Sequence, residues 1–231
     1  MHRILIVEDD VDLAEITAIY LHHDGYGYDK AGSVAEARRF LGKNEYDLVL
    51  LDELLPDGEG KSLCGLIREK CGCPIIFMSC LDDSGSIISA LNSGGDDYVV
   101  KPVTYDVLLA RVEANIRRRA FYRERECLEK GTEKQRVFRR FTIDFSSRAV
   151  TQNGREVELS STEYALLLYL SSHPDTLLLY NELYSNVWNN ESLGDVRTVM
   201  VHISNLRKKL DPCRVGLIRT VRGAGYVFTD V

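Results

Sequence analysis

No stretch of this chain approaches the roughly 20 apolar residues that a helix needs to cross a bilayer. No charged-then-apolar leader precedes Ile4, because Met1, His2 and Arg3 lead straight into an apolar run. Both absences point to a cytoplasmic protein with no membrane partner. Six cysteines are present, yet no two have the C-x-x-C spacing of a zinc or redox motif. Cys71 and Cys73 stand too close together and have no histidine nearby. All six are read as reduced thiols that fill space. There is no internal repeat and no low-complexity tract, which removes solenoids from consideration.

What is present suits two modest domains: 231 residues, 45% hydrophobic and 28% charged. The net charge of −6 conceals two unlike halves. Residues 1–117 carry 11 Lys and Arg against 21 Asp and Glu, whereas residues 118–231 carry 18 against 14. The basic second half is the candidate for nucleic acid.

Four short apolar runs in the acidic half each end in a reactive polar residue. Ile4 to Val7 runs into Glu8 and Asp9. Leu48 to Leu51 stops at Asp52, Ile75 to Met78 at Ser79, and Tyr98 to Val100 at Lys101. Apolar runs of this length between helical segments read as buried parallel strands. In an open α/β sheet the carboxyl ends of the strands, beside the topological switch point, form the binding crevice. Carboxylates, a hydroxyl and an ammonium should therefore converge there. Crowded carboxylates call for a hard cation such as Mg²⁺, and a lysine opposite them suits a phosphoryl group on Asp52.

Helix signals separate these strands. Residues 11–21 carry a helical apolar stripe. Ser33 is placed to cap the next helix, with Glu36 completing a capping box. Asp82 or Asp83 opens a fourth helix, and Thr104 or Tyr105 a fifth. Five βα units predict a doubly wound, five-stranded parallel α/β sheet over residues 1–120. Residues 121–135 are mixed in charge and read as a linker, or as a frayed extension of the fifth helix. From residue 136 the pattern changes to period-two runs near 141–145, 149–152 and 155–159, which predict a small antiparallel sheet. Three helices follow, the last near 196–210, and then a hairpin ending at Phe228. Sheet, three helices and hairpin make an α+β winged helix-turn-helix over 136–231.

Together these motifs resemble bacterial two-component response regulators of the OmpR/PhoB family across nearly the whole chain. The anchors are Glu8-Asp9, Asp52 with Leu55-Pro56 and Gly60, Ser79, Asp96-Asp97-Tyr98, Lys101-Pro102, the run from Arg197 to Leu210, and the hairpin from Arg219 to Tyr226. The resemblance implies a flavodoxin-like receiver followed by a DNA-binding domain, and no enzyme. By position Asp52 resembles the phosphoacceptor, and Lys101 and Ser79 its phosphoryl ligands. Glu8, Asp9, Asp52 and the backbone carbonyl of Leu54 resemble the Mg²⁺ site. Tyr98 resembles the aromatic switch. The implied partners are a sensor histidine kinase, double-stranded promoter DNA, a second copy of the chain on activation, and RNA polymerase. Ile87 and Val107 stand where many relatives place an oppositely charged pair. With Asp97 and Arg111 they mark the expected dimer face, predicted here to be more apolar than usual. Glu53 should point away from the phosphate, since side chains alternate along an extended backbone.

In the basic half, Val199, Ile203, Leu206 and Leu210 recur at helical spacing and must face a core. Arg197, His202, Asn205, Arg207 and Lys208 are then expected to face outward, toward the major groove. Asparagine can read adenine, and arginine can read guanine or grip phosphate. Arg222 in the hairpin resembles a wing residue for the minor groove. Two other readings remain open. One is a phosphorylation-independent regulator whose receiver only dimerises. The other is a phosphate-hydrolysing enzyme of the haloacid-dehalogenase kind. The latter lacks its second aspartate, because Leu54 stands two residues after Asp52.

Overall fold

The computed structural model describes residues 2–128, 134–188 and 196–231, with side chains throughout except at 118–128 and 196. The chain divides into two compact units, residues 1–116 and 117–231.

The first unit runs β1 (Arg3–Val7), α1 (Val11–His23), β2 (Gly27–Ala31), α2 (Val34–Leu41), β3 (Leu48–Asp52), the short strands β4 (Leu54–Leu55) and β5 (Gly58–Glu59), α3 (Cys64–Lys70), β6 (Ile75–Ser79), α4 (Ser84–Asn92), β7 (Asp97–Val100) and α5 (Tyr105–Leu128). Five strands pair in parallel in the order β2-β1-β3-β6-β7. Alternation along each strand sends Ile4, Ile6, Leu48, Leu50, Ile76 and Met78 to one face, where Ala14, Ala18, Leu108 and Val112 cover them. Leu5, Val49, Leu51 and Phe77 are equally buried and fill the other face. Where both faces are dry, in β1, β3 and β6, the strands must read as apolar runs, and they do, while the edge strand β2 (Gly-Tyr-Asp-Lys-Ala) is only partly buried.

Local chemistry sets the helix starts. Asp10 caps α1 by accepting from the backbone N–H groups of Asp12 and Leu13, both at 3.0 Å. Ser33 caps α2 through the Glu36 N–H. Glu36 reaches back to the Gly32 N–H instead of the Ser33 N–H, so the expected box closes one residue early. Asp83 caps α4. One expectation is corrected. Cys71 and Cys73 are joined in a disulfide, because Gly72 turns the chain with φ +53° and brings their Cα atoms to 5.1 Å. Cys64, Cys80 and Cys213 are free thiols. The segment expected as a linker at 121–135 begins as helix, since α5 continues to Leu128. Its arginines, glutamates and leucine are good helix formers even without an apolar stripe. Residues 129–133 of that segment lie outside the described residues, and a strand already opens at Gln135.

The second unit runs β8 (Gln135–Val137), β9 (Thr142–Asp144), β10 (Ala149–Gln152), β11 (Arg155–Glu156), α6 (Ser161–Ser171), β12 (Leu177–Leu179), α7 (Tyr180–Trp188), α8 (Val196–Leu210), β13 (Ile218–Val221) and β14 (Gly225–Phe228). Strands β8 to β11 form an antiparallel sheet, and β12 joins the hairpin in the order β12-β14-β13. Helix α6 starts at a full capping box between Ser160 and Glu163. Its residues pack with Ile143, Trp188, Ile203, Leu206 and Phe228 into one core. Among the described residues no helix is long and apolar enough to cross a membrane.

Candidate functional site

The carboxyl ends of β1, β3 and β7 bring Glu8, Asp52 and Lys101 together, and Ser79 ends β6, the strand between β3 and β7. The Lys101 ammonium donates to Glu8 Oε2 at 2.6 Å and to Asp52 Oδ2 at 2.5 Å. Carboxylate oxygens of Glu8, Asp9 and Asp52 all lie within 4.8 Å of one another. Glu8 and Asp52 are buried, and Asp9 is exposed. The Leu54 N–H donates to Asp52 Oδ1 at 3.1 Å, so the chain wraps the acid just beyond the strand. The turn is held tight by Gly60. An ideal Cβ there would lie 2.0 Å from the Asp52 carbonyl oxygen, so only glycine fits against it. Ser79 is buried, with its Oγ accepting from the Leu81 N–H at 3.2 Å.

Electrostatics follow from the crowding. Burial pushes the Glu8 carboxyl up to about 7; Lys101 pulls it down, and the Asp52 charge adds to the rise. Burial alone would lower the Lys101 ammonium, but its bonds to Asp52 and Glu8 outweigh that and raise it. Tyr98 is turned inward, and burial pushes its phenol up to about 12, so it stays a proton donor. Glu53 is not part of the acid cluster, in line with its expected direction.

On α8 the outward set differs from the expected one. His202 is 1% and Asn205 7% exposed. His202 packs against Trp188, with ring centroids 5.7 Å apart, and Trp188 stacks on Tyr184. The expectation that both residues face outward is corrected. Thr198, His202 and Asn205 form a row flanking the Val199–Ile203–Leu206 stripe, so more than half of the helix circumference is covered. A 3–4 ridge stays open: Arg197, Met200, Ser204 and Lys208. Met200, 49% exposed, and Ser204 were missed because an isolated methionine or serine carries no pattern of its own. Arg207 turns back onto the hairpin. It donates to the Ile218 carbonyl and Thr220 Oγ1 and lies over the Tyr226 ring. Lys209 is tied to Glu163. Arg222 stands exposed at the hairpin tip. A cleft of about 580 Å³ beside the end of α8 is lined by Lys208, Arg214 and Arg219, among others. Arg214 and Arg219 were also missed, because sequence spacing does not place a loop beside a helix.

Two family models match this chain. Residues 4–113 match the response regulator receiver domain, and residues 154–228 match transcriptional regulatory protein, C terminal. The chain is 35% identical over 229 residues to transcriptional regulatory protein ResD of Bacillus subtilis (strain 168), covering 98% of this chain and 95% of that protein. It belongs to the OmpR/PhoB family of two-component response regulators. Among solved structures a RitR mutant matches all of both chains, with a TM-score of 0.81 at 28% identity. DrrB, a Thermotoga maritima OmpR/PhoB homolog, matches 99% of both with a TM-score of 0.50 at 27% identity. The protein is therefore a response regulator with a DNA-binding transcriptional regulatory domain.

In this regulator the residues expected on the dimer face are largely spent inside the protomer. Ile87 is only 3% exposed, because Ile87, Ala90 and Leu91 make the inward stripe of α4. Ile88, 40% exposed, is the apolar residue that α4 presents to solvent. Asp97 and Arg111 are buried and pair with each other at 2.9 and 3.1 Å, with Asn115 Nδ2 at 3.4 Å from Asp97. Val107 is half-buried. The expectation of an apolar interface built on Ile87 is corrected accordingly.

Proposed function

We propose that this regulator is switched by transfer of a phosphoryl group to Asp52 from a phosphohistidine on a sensor histidine kinase. The switched protein binds promoter DNA as a cytoplasmic homodimer and meets RNA polymerase there. The observation that carries this reading is the Lys101 ammonium bonded to both Asp52 and Glu8. In the transfer the histidine N–P bond breaks as an Asp52 carboxylate oxygen bonds to phosphorus. Like charge opposes that attack. Lys101 offsets the charge, and the Ser79 hydroxyl on the neighbouring strand is the second phosphoryl ligand.

The three clustered carboxylates fit a hard cation. Glu8, Asp9, Asp52 and the Leu54 carbonyl would hold Mg²⁺, which when bound supplies positive charge to the phosphoryl oxygens. Incubation with acetyl phosphate and Mg²⁺, followed by intact mass, should give a single phosphoryl adduct that is absent with a chelator. An unchanged mass overturns the reading.

Glu8 must lose its proton to ligate a cation. With its carboxyl at about 7, Mg²⁺ affinity should rise about tenfold between about pH 6 and about pH 8. The sign for stability follows from the same shift. The folded pKa exceeds the unfolded one, so the stabilisation is present at low pH and is lost as pH rises through about 7. The melting temperature of the metal-free protein should fall over that range, and Mg²⁺ should restore it. Calorimetric titrations at the two pH values that return equal affinities would remove Glu8 from the site.

For DNA, Arg197, Met200, Ser204 and Lys208 form the reading ridge, and Arg222 forms the wing contact. Two protomers would occupy half-sites about 10–10.5 bp apart. Arg222→Ala should weaken binding uniformly across sequences and flatten the salt slope by roughly one unit. An unchanged slope in a salt titration would take the wing off the contact surface.

A further inference from the structure

The residue immediately after Asp52 is a glutamate, and it is only 2% exposed. A carboxylate withdrawn from water needs partners, and Glu53 has two, one on each oxygen. Oε1 lies 3.2 Å from Lys61 Nζ, and Oε2 accepts from the Tyr98 hydroxyl at 3.3 Å. Lys61 also donates to Ser89 Oγ on α4 at 3.2 Å. The Tyr98 hydroxyl has a second acceptor, the Leu81 carbonyl at 2.7 Å. A phenol carries one proton, so it is shared between the nearer carbonyl and the farther carboxylate.

The two acceptors differ in what anchors them. Leu81 sits two residues past Ser79, and its N–H is bonded to the Ser79 hydroxyl. Any turn of Ser79 toward a phosphoryl group breaks that bond and frees the Leu81 segment. Glu53 instead leaves β3, the central strand of the sheet, whose backbone is paired on both sides. Its carboxylate is held by Lys61, outside the Ser79–Leu81 segment.

We propose that Glu53 is a positioning residue that holds Tyr98 inward before any phosphoryl group arrives, with Lys61 as its ion-pair partner in the interior. The proposal deepens the reading of Tyr98 as the switch and rests on it. An apolar residue at 53 would leave the inward hydroxyl with partners on the Ser79–Leu81 segment, the Leu81 carbonyl and the Ser79 hydroxyl, and its orientation would then follow that segment. With Glu53 present the tyrosine is preset, and α4 is tied through Ser89 and Lys61 to the same carboxylate.

The test uses the full-length protein with 3-fluorotyrosine at position 98 and fluorine NMR. The untreated parent should give one resonance, shielded from solvent. Glu53→Leu should add a second, solvent-exposed resonance, which acetyl phosphate with Mg²⁺ removes. Glu53→Gln keeps an acceptor oxygen and should behave as the parent. Glu53→Met replaces Glu53→Leu if the latter fails to melt cooperatively. A single shielded resonance in the apolar variant overturns the proposal. So does a Glu53→Gln protein that releases the ring, or a parent whose ring turns inward only on phosphorylation. Intact mass of each sample runs in parallel. A parent that takes no phosphoryl group refutes the Asp52 reading, while the untreated spectra still judge Glu53.

Discussion

Asp52→Asn is expected to leave the protein folded and unable to take a phosphoryl group. The amide has no anionic oxygen to attack phosphorus. No other carboxylate takes its place, because Glu8 is held by Lys101 at 2.6 Å and Asp9 lies on the exposed rim. The substitution removes one of three clustered acids. The Asp52 charge is among the causes that raise the Glu8 carboxyl, so that carboxyl should drop toward its ordinary range. Lys101 keeps one partner. The melting temperature should therefore hold or rise at neutral pH, in contrast to most changes at buried polar sites. Intact mass after treatment with acetyl phosphate and Mg²⁺ checks the first point, and a thermal melt checks the second. Full labelling of the variant would sink the assignment of Asp52.

Gly225→Ala should have the largest effect on stability. Gly225 lies in β14, the middle strand of the β12-β14-β13 sheet, opposite Leu179 on one side and Val221 on the other. A Cβ at this position would lie 1.9 Å from the Leu178 carbonyl oxygen and 2.8 Å from its carbon. Both are backbone atoms, so no rotamer change relieves the clash, and the strands must part. The cost should be at least about 3 kcal/mol, a large share of the roughly 5–15 kcal/mol that holds a domain together. The protein carries its own reporter. Its single tryptophan, Trp188, is buried in the core of the same unit. Urea unfolding followed by Trp188 fluorescence should show a midpoint well below the parent's, with DNA binding lost in step. The Asp52 adduct should form as before, since it belongs to the other unit. An equal midpoint would mean that β12 is dispensable.

The receiver half was legible because its pattern is rigid. A parallel strand buried on both faces must be apolar throughout, and the first polar residue marks its end. That rule alone brings Glu8, Asp52, Ser79 and Lys101 to one edge. The recognition helix was less legible. Apolar spacing marks which residues face inward, but not how wide the covered arc is, and His202 and Asn205 fall inside that arc. The same limit misplaced Ile87. Both Ile87 and Ile88 are apolar, and only the packing of Ala90 and Leu91 decides which turns in. Strands β8 and β12 escaped notice because three residues make too short a period-two run. The Cys71–Cys73 bond escaped because one intervening glycine is not a recognised spacing.

On the DNA reading proposed above, the narrow open ridge on α8 would constrain how this protein's set of target promoters can change over evolutionary time. Arg197, Met200, Ser204 and Lys208 can vary without touching the core. At His202 and Asn205 a change registers first as a fold defect, whatever it does to DNA. New operator preferences must therefore be spelled with few letters. Since arginine and lysine also hold the phosphates, most of that spelling falls to Met200 and Ser204. A lineage could shift its operator by a single substitution at either position while Asp52 and the cluster around it stay unchanged, keeping the input and changing only the address.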